Sequence, residues 1–468
     1  MTNLQTKLFC DCSADYRDDP PNTHLCPTCL GLPGSLPVVN ERAVEDAVMV
    51  ALALECTIPG HSYFHRKNYY YPDMPKNFQI SQYDRSGAVP VAANGSVSIE
   101  AEGKARLISV TKIQIEEDPG KLVHLGSIDT SPYTFVDYNR AGVALLEIVT
   151  APVLVSPKEA RVFLQKIRSI LEHLGVSDGR LEGAMRSDAN ISIEGGKRVE
   201  VKNISSFKEV ERALSFEISR QRSLSARGQR VVMETRHWDE VRRVTVSLRT
   251  KEEEHDYRYF PEGDLVPFSL SAVFVDAIKN RMPELPDARR ERLVRDYGIP
   301  LYDAVVLTGD KGLVDFFEEC VKLSHRPKDV SNWVMTDLQR WLHEQAVELG
   351  DARITPGSLV RLLQLIEKGT ISGKIAKTVL REMVRTGREP EDIVSEQKLV
   401  RISSEEEIGS LVEKVFSENP KAVQDARTDE KATNYLVGKL MQATRGKADP
   451  NLANRVIREK LKETRPEQ

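Results

Sequence analysis

The sequence predicts an α+β chain. It should hold a large mixed domain built on an antiparallel sheet (residues 1–285), an all-α helical domain (286–400) and a small all-α tail (401–468). Three observations carry this. Period-two alternation of apolar and polar residues recurs through the first 285 residues, and helical periodicity replaces it after Met282-Pro-Glu-Leu-Pro286. A fresh helix-start signal, Ile402-Ser-Ser-Glu-Glu-Glu407, then opens the last segment. The 468 residues fit three domains of about 150 each.

Taken in order, Val97–Glu100 and Ala105–Ile115 alternate as half-buried antiparallel strands do. Ser156-Pro-Lys-Glu159 is a capping box with proline at the first helical position, and its helix should end near Gly175. Ala189–Ile193, Glu194-Gly-Gly-Lys197 and Val199–Val201 read as a hairpin. Ser206-Phe-Lys-Glu209 is a second capping box, opening a helix to about Arg220. From Asp329 to Leu349 one helical face carries Val330, Trp333, Val334, Leu338, Trp341 and Leu342, and shorter helices recur at Leu359–Ile366 and Ile375–Met383.

Lysine plus arginine total 66 against 70 acids, so the net charge of −4 points to no nucleic-acid partner for the whole chain. The basic charge is local: residues 431–468 hold nine Lys/Arg and four Asp/Glu, with Lys439, Arg445 and Lys447 among them. That is a candidate phosphate-binding face, the alternative being a solvated helix surface. No apolar run reaches the roughly 18 residues a membrane helix needs, so no membrane role is expected. Without a basic-then-apolar leader, and with only six cysteines, the chain should be cytoplasmic.

Cys10-x-Cys12 and Cys26-x-x-Cys29, separated by a proline-rich loop of 13 residues, suit a tetrahedral, structural Zn²⁺; two disulfides are the alternative. Cys56 and Cys320 read as packed thiols. Glu116-Glu-Asp118 ends a strand, and Glu182 and Asp188, flanking Arg186, precede another. Carboxylates at strand ends are hard oxygen ligands suited to Mg²⁺, although either cluster alone is commonly a solvated turn. The segment from Arg66 through Lys67, Asn68, Tyr69 and Lys76 to Asp84 is rich in bases, aromatics and amides, as a site-building loop is. A phosphate-binding Gly-x-x-x-x-Gly-Lys-Ser/Thr, a Gly-x-Gly-x-x-Gly turn and a Gly-x-Ser-x-Gly elbow are all missing, which disfavours familiar nucleotide loops and a self-contained hydrolase.

Ordered strings along nearly the whole chain resemble the B-subunit family of aspartyl/glutamyl-tRNA amidotransferases. They include Arg66-Lys-Asn-Tyr-Tyr-Tyr-Pro-Asp73, Gln79-Ile-Ser-Gln-Tyr-Asp84, Glu116-Glu-Asp-Pro-Gly-Lys121, Asp137-Tyr-Asn-Arg-Ala-Gly142, Leu146-Glu-Ile-Val-Thr150, Ser187-Asp-Ala-Asn-Ile-Ser192, Asp256-Tyr-Arg-Tyr-Phe-Pro261 and Tyr435-Leu-Val-Gly-Lys-Leu-Met441. The resemblance implies a cradle-like kinase domain, a helical domain and a tRNA-binding tail. It implies a ligase that forms a carbon–nitrogen bond with glutamine as amide donor, active only in complex. ATP would convert the side-chain carboxylate of Glu-tRNA(Gln) or Asp-tRNA(Asn) to an acyl phosphate, and ammonia would displace the phosphate. The implied partners are an amidase subunit, a small linker subunit completing a heterotrimer, and tRNA(Gln) or tRNA(Asn); the cofactors are ATP, Mg²⁺ and Zn²⁺.

By position, Glu117, Glu182 and Asp188 become magnesium carboxylates, with Glu116 and Asp118 beside them. Lys67 and Lys76 fall with Glu117 where the family's ammonia path meets the kinase site. Arg66, Asn68, Tyr69, Arg186, Ser205 and Ser206 fall on the substrate side, Ser206 being equally a helix cap, and Lys439, Arg445 and Lys447 fall on the tRNA-binding tail. The related archaeal E-type subunit carries an insertion that the direct passage from Phe260-Pro261 to Pro283-Glu-Leu-Pro286 does not leave room for. Three departures stand out: Gln114 replaces a histidine, Glu182 stands without an adjacent acid, and a strand reading roughly Gly-Leu-Glu-x-His-x-Gln is missing ahead of Thr6-Lys-Leu-Phe9. The last suggests a misplaced start, and it motivates the alternative of a catalytically impaired tRNA-binding scaffold.

Overall fold

A computed structural model describes residues 1–83, 89–125, 131–178, 184–250, 254–402, 404–426, 430–444 and 446–463. The chain divides into two units, Met1–Arg289 and Arg290–Gln468.

The first unit is mixed α+β. Its central antiparallel sheet orders Ala92–Ala101, Lys104–Glu117 and Ala144–Thr150, with Ile113 opposite both Ala92 and Ile148. Ile108, Val110, Ile113 and Ile115 turn inward from the long middle strand and meet the helix Glu41–Ala53, whose Ala47, Val48, Val50 and Ala51 are wholly buried. Each large aliphatic side chain buried there contributes about 2 kcal/mol from water release. The helix Pro157–Leu174 faces this core with Phe163, Ile167 and Ile170. Small antiparallel sheets surround it: Phe260–Pro261 with His65–Asn68 and Phe78–Ser81, Lys121–His124 with Thr134–Asp137, and His61–Ser62 with Phe268–Ser269.

A second core in the same unit forms where the helix Phe207–Ala226 covers a four-stranded sheet ordered Val244–Thr250, Glu234–Asp239, Val199–Lys202, Ala189–Ile191. The Ala189–Ile191 and Val199–Lys202 pair is the expected hairpin, with Ile191 opposite Val199. Val199–Lys202 and Glu234–Asp239 run parallel, which the intervening helix makes possible.

Both expected capping boxes form only in half. The Ser156 and Ser206 hydroxyls accept from the amides of Glu159 and Glu209. The returning carboxylates go elsewhere: Glu159 accepts from the Val155 amide, and Glu209 from the Trp238 indole N–H at 3.0 Å. The second helix runs to Ala226 rather than Arg220, since nothing in Gln221–Ala226 breaks it and Gln221 is buried.

The second unit is helical. One core gathers Leu293 through Val394, and another gathers Ile408 through Leu461. The predicted helix from Asp329 is Pro327–Asn332, a π-helical stretch Trp333–Leu338, then Gln339–Gln345; it ends at Ala346 in a left-handed conformation, short of Leu349. Ser404 caps Glu405–Glu418 as its position suggested. Among the described residues no helix is long and apolar enough to cross a membrane.

Candidate active site and metal centre

The long strand Lys104–Glu117 delivers two acids to the interior at its end. Phe78–Ser81 lies across them, so the acids exchange water for protein donors. Glu116 accepts from the Ser81 hydroxyl at 2.5 Å and from the Gln79 amide at 3.3 Å. Glu117 accepts from the Ile80 backbone N–H at 2.8 Å and is ion-paired with Lys76. The side chains of Lys76 and Glu117 are 8% and 3% exposed, so their pairing is what lets either charge remain buried. Asp118 is held by Arg186 through both oxygens at 2.6 and 2.7 Å and by Arg140 at 3.2 Å. Gln114 donates to the Gln82 carbonyl, while the Gln82 amide oxygen accepts from Ile115 N at 2.9 Å.

Across the sheet from Gln114 stands Glu147. Water reaches it, yet much protein surrounds it, and its pKa is pushed up to about 7, first by the charge of Glu116 and then by loss of solvation; Lys67 and Lys112 pull the other way. Asp188 adds to the same field and is paired with Lys202 at 2.8 Å. An acid that binds its proton more tightly in the native state than in the unfolded one loses stability as pH rises. The effect of Glu147 is absent below about pH 4.5 and complete above about 7. Glu147→Gln is therefore expected to flatten the fall in thermal midpoint across that window. Parallel slopes for the two proteins would place the titration on another group.

The residues expected on the substrate side separate into two kinds. Arg66 is locked by a bidentate pair to Glu262 at 2.7 Å, with Asp264 at 3.2 Å and the Phe78 ring beneath it. Asn68 donates to the backbone oxygens of Tyr257 and Arg258. Both hold the segment's own fold. Lys67, on the opposite face of that strand, lies 4.9 Å from the Tyr257 ring centroid. Burial, reinforced by Asp73 and Glu116, raises the pKa of Tyr69, so its phenol keeps its proton. Ser206 serves as the helix cap, and the Ser205 amide donates to Glu240. Glu182 and Arg445 lie outside the described residues.

Sequence reasoning missed Glu147, Arg140 and Lys7. A charged residue inside the apolar run Ala144-Leu-Leu-Glu-Ile-Val was the available signal for Glu147.

The four cysteines come together. The Cys29 sulfur lies 3.4 Å from that of Cys10 and 3.6 Å from those of Cys12 and Cys26, and all four sulfurs fall within 4.8 Å of one another. Zn–S bonds of about 2.3 Å in a tetrahedron place sulfurs about 3.8 Å apart, so the set fits zinc and leaves no position open for substrate. All six cysteines are free thiols, which removes the disulfide alternative here. Lys7, with no exposed surface, donates to the Cys29 sulfur at 3.5 Å and to the His24 carbonyl at 2.7 Å. Hydrogen bonding from Cys10 and the Lys7 charge pull the Cys29 pKa down to about 4 despite its burial. Burial pushes Cys56 up to about 11 and Cys320 up to about 12, as inert packed thiols. Among the described residues no other group of three His, Cys, Asp or Glu side chains converges as a metal site.

In the tail, Arg455, Arg458 and Lys460 pair with Glu405, Glu430 and Glu413, so the basic face is smaller than its residue count implies. The Lys439 ammonium lies 5.4 Å from the Tyr435 ring centroid.

Comparison with known proteins follows the same lines. Residues 2–276 match the family model described as the GatB/GatE catalytic domain, and residues 315–461 match the one described as the GatB domain. Proteins named as the B subunit of aspartyl/glutamyl-tRNA(Asn/Gln) amidotransferase are similar throughout. The one from Carboxydothermus hydrogenoformans is 49% identical over 97% of this chain and 95% of its own length. Those from Sulfurisphaera tokodaii (97% of its own length) and Thermotoga maritima (96%) are each 49% identical over 98% of this chain. The chain belongs to the family of aspartyl/glutamyl-tRNA(Asn/Gln) amidotransferase B subunits.

Proposed function

We propose that this chain activates and amidates the side-chain carboxylate of Glu-tRNA(Gln) or Asp-tRNA(Asn), working with an amidase subunit and a small linker subunit in the cytoplasm. The observation that carries the reading is the interleaving of acids and ammonium groups, Glu116, Glu117 and Glu147 with Lys67 and Lys76, at one end of the central sheet. Family membership over nearly the full length supports it.

A carboxylate resists attack by ammonia because oxide is a poor leaving group. Transfer of the γ-phosphoryl group of ATP to a side-chain oxygen releases ADP and forms an acyl phosphate. Ammonia then bonds to the acyl carbon, phosphate leaves with its electron pair, and the new amide nitrogen sheds a proton. A bound Mg²⁺ would neutralise charge on the phosphoryl oxygens. Glu116 and Asp188 place negative charge around Glu147 at that end of the sheet, a field that would draw the ion in. Glu117, which the resemblance assigns to the metal, is ion-paired with Lys76. It is the base that takes the extra proton of an arriving ammonium ion, while Lys67 supplies positive charge beside the reacting groups. The cradle-like kinase architecture, the three-domain division and the tail's tRNA contacts through Lys439, Arg445 and Lys447 belong to the same proposal.

The test reconstitutes the chain with both partner subunits, ATP, Mg²⁺, glutamine or ammonium, and each misacylated tRNA. Amidated tRNA with matching ADP release is expected. Binding of tRNA with neither product would leave only a scaffold role. Charge reversal in Lys439→Glu/Lys447→Glu should weaken tRNA binding and reduce the log–log salt slope by about 2.

A further inference from the structure

The four-cysteine loop approaches the Lys76–Glu117 pair at Gly31, at Phe9 and, by way of Gly142, at Lys7. Gly31, two residues after Cys29, has a φ of +64° and caps the short turn Pro27–Leu30. Its bare Cα faces the Lys76 stem so closely that an added Cβ would stand 2.4 Å from Lys76 Cγ. Phe9, immediately before Cys10, presents its ring 6.0 Å from the Lys76 ammonium, and the Phe78 ring lies 5.8 Å from it. Lys7 bonds to Cys29 with its ammonium, and its stem lies against Gly142, where an added Cβ would be 3.5 Å from Lys7 Cδ and 4.0 Å from Glu117 Oε2. Two walls around Lys76 and one beside Glu117 are therefore made by residues that gathering the thiolates holds in place.

We infer that the four-cysteine loop is the clamp that sets the Lys76–Glu117 pair, with Gly31 and Lys7 as positioning residues that transmit metal occupancy to that pair. A divalent ion with four thiolates carries two net negative charges, and the Lys7 ammonium offsets one of them, which accounts for a lysine with no exposed surface. With the metal removed, the bonds that tie the four sulfurs to one centre are gone and the loop loosens. Gly31 and Phe9 then withdraw from the Lys76 stem, and Lys76 swings off Glu117. The consequence for amidation rests on the function proposed above; the coupling itself does not.

The test uses the full-length chain in complex with its partner subunits and reads Lys76 directly. The rate at which an amine-directed acylating reagent modifies Lys76 is followed by mass spectrometry, beside hydrogen exchange of the Ile80 amide that Glu117 holds. Gly31→Ala keeps every sulfur ligand, so it should retain one equivalent of zinc while Lys76 labelling and Ile80 exchange rise roughly tenfold, the scale on which supporting contacts at a metal centre act. Stripping zinc from the native protein with a chelator should raise both rates likewise, and this arm stands even if Gly31→Ala does not fold. Lys7→Met should weaken zinc binding by about 10–100-fold. Native rates at Lys76 and Ile80 after zinc removal would overturn the inference. So would a zinc-loaded Gly31→Ala protein that labels as the native one does. If native protein fails to amidate yet labels as expected, the functional reading fails and the clamp stands.

Discussion

Cys29→Ser is expected to leave the protein without zinc and to lower its thermal midpoint, with a loss of about 3–5 kcal/mol in the N-terminal unit. The Cys29 sulfur is nearest to the other three and is the one that Lys7 reaches, so its replacement strands a buried ammonium as well as opening the ligand set. The hydrogen bonds Lys7 N to Cys12 O and Leu8 N to Gly142 O then lose their anchor and fray with the loop. Elemental analysis of protein purified under reducing conditions, paired with thermal melts, checks this. Native protein without zinc and with an unchanged melt would remove the metal from the account.

Breaking the buried pair should cost as much, for a different reason. Lys76→Met leaves the Glu117 charge with the Ile80 amide as the partner of its side chain among the described residues, and Glu117→Gln leaves the Lys76 ammonium without its carboxylate beside two aromatic rings; each is expected to cost about 3–5 kcal/mol. The double variant removes both charges while the neutral carboxamide at position 117 keeps an acceptor for the Ile80 amide, so it should recover most of that loss. Denaturant unfolding of the four proteins gives the coupling energy. A double variant as unstable as the sum of the singles would mean the two charges do not depend on each other. All three variants should retain zinc, and all three should fail in amidation, so stability recovers where activity does not.

Local signals in the sequence were reliable where the physics is local. The Ser156 and Ser206 caps, the strand ending in Glu116-Glu117, the Ala189–Val201 hairpin and the cysteine pairs all depend on neighbours within a few residues, or on a ligand spacing that chemistry fixes. What sequence left open was who meets whom across the fold. Arg66–Asp84 read as a site-building loop, whereas His65–Asn68 and Phe78–Ser81 are paired strands in it, with Glu262 covering Arg66 and Lys76 rather than Lys67 taking Glu117. Asp118 looked like an available ligand because its two arginines, Arg140 and Arg186, lie on distant segments. The half-formed capping boxes show the same limit, since Glu209 prefers an indole supplied by a strand 29 residues away.

That reach along the chain also sets a clock. Arg66 and Glu262 are 196 residues apart. At the usual ribosomal pace of about 5–20 residues per second, Arg66 waits roughly 10–40 s for its partner. The cysteine loop and the Lys76–Glu117 pair can close well before then, whereas the strand His65–Asn68 stays uncovered on one edge until Phe260–Pro261 is made. The nascent chain thus has a closed cysteine loop and an open β-edge at the same moment, and that edge is exposed to pairing with other chains until residues 260–261 are made.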